Sequence, residues 1–179
     1  TFRRLHDTIQ FSMDWWDSHL YEFDFPQEKL RITNDEEAYE EFKFYQKKYK
    51  DKPLTKRNDP HGIIALILEI TIRQPQTLKI DRYLEKYRTM IYTYDFGDDW
   101  QHKIILEKIS DDYAFGYPMI LEGEGNCPPE DVGGIPGYEE FLRIWNNPDD
   151  PSYEDMRQWG QNQHYRTIDI ADRNDLLKT

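Results

Sequence analysis

The sequence predicts an α+β fold, a single domain with a mostly antiparallel sheet, helices packed on it and a helical insertion. Three observations predict it. Residues 90–96 and 100–109 alternate apolar and polar side chains as paired strands do, and Gly97-Asp98-Asp99 between them suits a tight hairpin. Residues 2–13 and the stretch from 138 onward carry apolar residues at helical spacing. Aromatic residues make up 15% of the chain, so large rings can fill a core despite an apolar content of only 37%.

The elements follow in order. Leu5, Ile9 and Met13 recur every four residues and predict a helix over 2–13, closed by Trp15 and Trp16. Residues 18–25 form a strand with His19, Tyr21, Phe23 and Phe25 on one face, ended by Pro26. Ala38, Phe42, Tyr45 and Tyr49 define a surface helix over 35–50, and residues 35–76 together form the helical insertion. Asp59-Pro60 is a helix start, with Asp59 as N-cap and Pro60 at the first helical position. The apolar run that follows, 63–72, fits helix or strand by periodicity, and the cap favours helix. A short helix follows near 81–87, then the hairpin, then a further strand at 117–121.

Residues 122–137 contain five glycines and three prolines and form an ordered loop. The C-terminal part, 138–179, is helical. One helix covers 138–145 with Phe141, Leu142 and Trp145 inward. A second opens on a capping box of Ser152 and Asp155 and ends at Gly160, and a third covers 169–177.

Composition bounds the function. The formal charge is −12, which repels a phosphate backbone unless basic residues concentrate on one face, so nucleic acid is disfavoured as a partner. The basic group Lys47, Lys48, Lys50, Lys52, Lys56 and Arg57 reads as a solvated helix end and its exit loop. No apolar run approaches the roughly 20 residues that cross a bilayer, and no secretory leader is evident. A single cysteine, Cys127, rules out an internal disulfide and a cysteine-rich zinc cage, and a reducing, cytoplasmic setting follows as the expectation.

Three blocks together carry a family resemblance. The first is Leu5-His6-x-x-Ile9-Gln10, then Met13-x-Trp15-x-x-Ser18-His19-Leu20-x-x-Phe23. The second is Tyr92-x-Tyr94-Asp95-Phe96-Gly97-Asp98-x-Trp100-x-His102, with Leu106-Glu107-Lys108 after it. The third is Tyr117-Pro118, then Gly123-Glu124-x-x-Cys127-Pro128-Pro129-Glu130-Asp131-x-Gly133-Gly134, then Gly137-Tyr138-Glu139-Glu140-Phe141-Leu142. The chain resembles the plasmid pRiA4b ORF-3-like family. The resemblance implies an α+β domain found on chromosomes and as a passenger of plasmids and transposons, with no settled activity. The family pattern opens with a strand bearing an Ile-Trp-Arg-Arg-like run that this chain does not show. Residues 35–76 are also longer than that pattern, so no family role carries over to them.

Two functions compete. The first is a non-enzymatic binding module, with loops 95–102 and 122–137 as the recognition surface for a protein or a small molecule. Its candidate residues are Trp15, His19, Tyr94, Asp95, Asp98, Trp100, His102, Cys127, Glu130 and Asp131. The second is a metal-assisted hydrolase, in which His19, Asp95, His102 and Glu130 hold a divalent metal, the one cofactor the residues suggest. A DNA-associated accessory role is a weaker third.

Residue by residue, a structural role competes with each. His19 and His102 lie on aromatic faces and suit hydrogen-bonded core histidines. Asp95 suits an Asx turn, Gly97 a positive φ, and Asp98 and Asp99 water-facing turn positions. Cys127 suits a buried loop anchor, and Glu130 and Asp131 a solvated loop face. Gly133-Gly134 and Gly137 lack the lysine and strand–loop–helix context of a phosphate loop.

Overall fold

The computed structural model describes residues 1–178. Among these residues it holds seven α-helices and a five-stranded sheet, whose strands β1 (Tyr21–Phe25), β2 (Leu30–Thr33), β3 (Thr71–Arg73), β4 (Thr89–Tyr94) and β5 (Trp100–Ile105) lie in the order β3-β2-β1-β4-β5. The α+β class follows: β1–β2 and β1–β4 are antiparallel and β2–β3 is parallel. The fold comprises two compact units. Of the described residues, one contains 1–3, 20–94 and 101–109; the other contains 4–19, 95–100 and 110–178.

The first unit is built on β1, Tyr21–Phe25. Tyr21, Phe23 and Phe25 are all fully buried, because alternate residues of a strand share one face. Each such ring contributes roughly 1.5–3 kcal/mol by leaving water. Phe23 packs 4.8 Å from Tyr92, and Phe2, in the first turn of α1 (Phe2–Met13), lies 5.3 Å from Phe23. A 3₁₀ turn at Pro26–Glu28 and a left-handed Lys29 (φ 48°) return the chain into β2, Leu30–Thr33. The sequence reading contains no strand there.

The strand predicted over 18–25 begins only at Tyr21 because side chains take both of that residue's backbone groups. Asn34 Oδ1 accepts from the Tyr21 amide at 2.7 Å, and the Thr33 hydroxyl donates to the Tyr21 carbonyl at 2.7 Å. His19 is therefore outside the strand and does not belong to its aromatic face.

Residues 34–70 connect β2 to the parallel strand β3, Thr71–Arg73. A parallel pair needs a long crossover, and α2 (Glu36–Lys48) and α3 (Ile63–Glu69) lie within it. The run 63–72 is thus helix and strand in succession, with the β-branched Ile70-Thr71-Ile72 going to the sheet. α3 starts at Ile63 and not at Pro60. Asp59 nevertheless caps it from outside, accepting from the Ile64 and Ala65 amides at 3.2 and 2.9 Å. α4, Asp81–Tyr87, leads into β4, Thr89–Tyr94, and β5, Trp100–Ile105, lies beside β4.

The second unit holds most of α1 and three C-terminal helices: α5 (Gly134–Trp145), α6 (Tyr153–Asn162) and α7 (Ile170–Leu176). In the part of α1 that belongs to this unit the buried positions are His6 and Gln10, one step round from the apolar stripe of Leu5, Ile9 and Met13. α5 begins four residues before 138, and Ile144 is buried beside Phe141 where Leu142 is half-buried. Gly160 does not end α6. It lies within the helix, and a Cβ there would come 2.5 Å from the Trp145 ring and 3.1 Å from Phe141. Ser152 precedes α6 without a side-chain cap, whereas Asp169 caps α7 through the Ala171 and Asp172 amides at 2.8 and 3.3 Å.

No strand forms at 117–121. The Ile120 amide donates to Asn174 Oδ1 at 2.7 Å and its carbonyl accepts from Asn174 Nδ2 at 2.9 Å, so one side chain replaces a ladder partner. Arg173, 2% exposed, is neutralised by Asp14 through a two-pronged contact, with Nη1 to Oδ1 at 2.6 Å. No helix among the described residues is long and apolar enough to cross a membrane.

Candidate functional site

The second unit gathers His19, Asp95, Glu130 and Asp131 at one point. The segment from Asp14 to His19 leaves α1 through two left-handed residues, Asp14 (φ 63°) and Asp17 (φ 55°). Its course is fixed from both sides. Gln10 Oε1 accepts from the Asp17 amide at 2.8 Å, and the buried His6 Nε2 lies 2.8 Å from Asp17 Oδ1. On the other side, Trp15 Nε1 donates to the Pro128 carbonyl at 3.0 Å, and the Trp16 amide donates to Glu130 Oε1 at 2.7 Å. Trp15 is buried and its ring lies 6.3 Å from Trp100, which lies 6.4 Å from Tyr138.

The loop after β4 supplies Asp95. Asp95 takes a positive φ of 56° and Asp99 one of 54°, while Gly97, the expected left-handed residue, is not in that region. Aspartate tolerates it because its short side chain bonds locally. Asp95 Oδ1 accepts from the Gly97 amide at 2.9 Å and the Asp98 amide at 3.3 Å, an Asx turn. This leaves Asp95 Oδ2 directed to His19. Asp98 is not simply a water-facing turn residue, since its Oδ2 accepts from the Gly133 amide at 3.0 Å. Gly134 lies so close that a Cβ would be 2.7 Å from the Asp98 carbonyl oxygen, and its φ is 65°. Only glycine meets both demands.

His19 Nε2 lies 3.0 Å from Asp131 Oδ1, 3.5 Å from Glu130 Oε2 and 3.6 Å from Asp95 Oδ2. Donor atoms of His19, Asp95 and Asp131 all fall within 4.8 Å of one another. Two ligands of one ion at ~2.0–2.2 Å sit roughly 3–4.4 Å apart, so His19, Asp95 and Asp131 suit a common ion, while Glu130 faces His19 without belonging to that donor group. The expectation of a solvated Glu130 does not hold: its side chain is 4% exposed, against 65% for Asp131 and 29% for His19. The cluster is closed on its Glu130 side and open at Asp131.

The other predicted site residues are not in this donor group. His102 is on β5, in the first unit, with its ring 5.7 Å from Tyr92, and belongs to neither group of metal-capable donors among the described residues. Tyr94 is fully buried in the first unit, opposite Tyr21 in the sheet register. Cys127 Sγ is 3.1 Å from Met13 Sδ, and burial pushes its thiol up to about 11, so it remains protonated and unreactive near neutrality. His6, Asp7 and Asp17 form a second donor group that the sequence reading passed over. Its signal is His6 on the helix face that also carries Phe2 and Gln10, spaced by four.

Comparison with known proteins places this geometry in a family. The chain is 30% identical over 162 residues to the uncharacterized protein y4hQ of Sinorhizobium fredii, covering 90% of this chain and 69% of that protein. It is also similar to the crystal structure of MM3350, a protein of unknown function from Methanosarcina mazei Go1. That likeness has a TM-score of 0.64 and 29% identity, and covers 96% of this chain and 82% of the other. A family model described as plasmid pRiA4b ORF-3-like protein matches residues 1–174, and the chain belongs to that family.

Proposed function

We propose that this protein is a binding module organised by a divalent cation held by His19, Asp95 and Asp131, with Glu130 beside them facing His19. One observation carries the reading: three carboxylates from two separate loops converge within 3.6 Å of a single imidazole nitrogen. As a metal ligand His19 is a neutral donor and offsets none of the carboxylate charge. A divalent ion would offset two negative charges and satisfy the facing oxygens. One nitrogen with two carboxylate oxygens suits Mn²⁺, Fe²⁺ or Zn²⁺. The ion would tie the loop after β4 to the loop 122–137, with Trp16 beside it to contact a ligand.

A hydrolase is the second reading, favoured by the exposure of Asp131. An ion bound there keeps one side facing solvent, where a bound water could be activated. Asp131 takes the place that the sequence reading gave to His102.

Calorimetric titration of metal-stripped protein with Mn²⁺ and Zn²⁺ tests the proposal. One site per chain is expected, and His19→Ala and Asp131→Asn should each weaken it at least tenfold while His102→Ala leaves it intact. Absence of saturable binding in the parent chain would overturn it.

A further inference from the structure

We infer that the C-terminal half of α2 and the loop leaving it form a binding surface for single-stranded nucleic acid. The net charge of −12 conceals a strong segregation. The second unit has six basic and 21 acidic residues, net −15, whereas the first has 17 basic and 14 acidic, net +3. Within the first, residues 43–57 contain seven basic residues and one acidic, net +6. None of those seven cations forms an ion pair among the described residues. The helix dipole accounts for Lys47 and Lys48 in the last turn of α2. It gives no reason for Lys50, Lys52, Lys56 and Arg57 beyond the helix end.

Aromatic rings stand among these charges. Phe44 is 58% exposed, with Lys43 and Lys47 on the same stretch of surface. Lys48 Nζ lies 5.2 Å from the Phe44 ring and 5.5 Å from the Tyr49 ring, and Phe44 and Tyr45 meet edge to face at 5.2 Å. Burial does not explain Phe44, since the core contact of this helix is made by Phe42. An exposed ring flanked by unpaired lysines is what a single strand requires: a stacking platform for bases and cations for the phosphates.

A single strand fits better than its rivals. A duplex is stiff and needs a long basic face, while the acidic remainder of this chain repels it. A flexible strand can follow a short basic tract. An acidic peptide would use the lysines but need not carry a ring for Phe44, whereas every nucleotide carries a base.

The test is fluorescence anisotropy of labelled single-stranded DNA and RNA oligonucleotides with the full chain, in chelator, so that no cation at His19 can bridge to phosphate. Saturable binding is expected, weakening steeply between 50 and 200 mM salt. The reversal Lys43→Glu/Lys47→Glu/Lys50→Glu should abolish it, and Phe44→Ala should weaken it roughly tenfold, with circular dichroism unchanged in both. No binding at low salt, tighter binding of duplex, equal competition by polyglutamate, or indifference to both variants would overturn the proposal. Salt-sensitive self-association lost in the reversal variant, without oligonucleotide binding, would assign the surface to a second copy instead.

Discussion

At the residue scale, what a side chain does here depends on whether a backbone group or another side chain needs it. Asp95, Asp98 and Glu130 each accept hydrogen bonds from main-chain amides. Those bonds fix where the remaining carboxylate oxygens point. The Asx role of Asp95 is legible in the sequence, because aspartate before Phe-Gly-Asp has few other local uses. The burial of Glu130 is not, because it depends on Trp16, 114 residues away in the chain. Cys127 gives a sharp test. Burial raises its thiol to about 11, so the folded state prefers the protonated form. Its contribution to stability is complete below the ordinary thiol range near 8.5 and is lost as pH rises through about 11. Disulfide exchange with an aromatic reagent at pH 8 should therefore be at least tenfold slower in the native protein than in denaturant. Equal rates would show that the thiol is not buried as described.

At the element scale, local signals located most helices, and long-range pairing decided the strands. Residues 2–13 are read correctly because one continuous helical period spans them. β2 and β3 are missed because Leu30–Thr33 and Thr71–Arg73 are four and three residues long, too short for alternation to register. The apparent insertion is the crossover that a parallel pair demands, a constraint visible only once β2 and β3 are seen side by side. Gly160 misleads in the same way: it resembles a helix terminator, yet it is a contact point for α5. Gly160→Ala should gain up to about 1 kcal/mol of helix propensity and lose more to the clash with Trp145, for a net cost of roughly 1–3 kcal/mol. Thermal denaturation should show a melting temperature several degrees lower. An unchanged or higher value would mean that α5 and α6 do not approach as closely as the 2.5 Å contact requires.

At the scale of the whole molecule, three of the four predicted metal ligands, His19, Asp95 and Glu130, come together, and Asp131 joins them. The residue types and the two loops were legible, since histidine and carboxylates clustered in irregular segments. Their convergence was not, because it depends on α1, the loop after β4 and residues 127–131 folding against one another. Net charge is a coarse quantity at this scale, since it averages a basic stretch over an acidic chain. The most direct test of the central claim is anomalous diffraction from crystals of the protein grown with Mn²⁺. One strong peak per chain is expected, about 2.0–2.3 Å from His19 Nε2 and from oxygens of Asp95 and Asp131. A map with no peak among these three side chains at millimolar Mn²⁺, or with manganese bound only elsewhere, would contradict it.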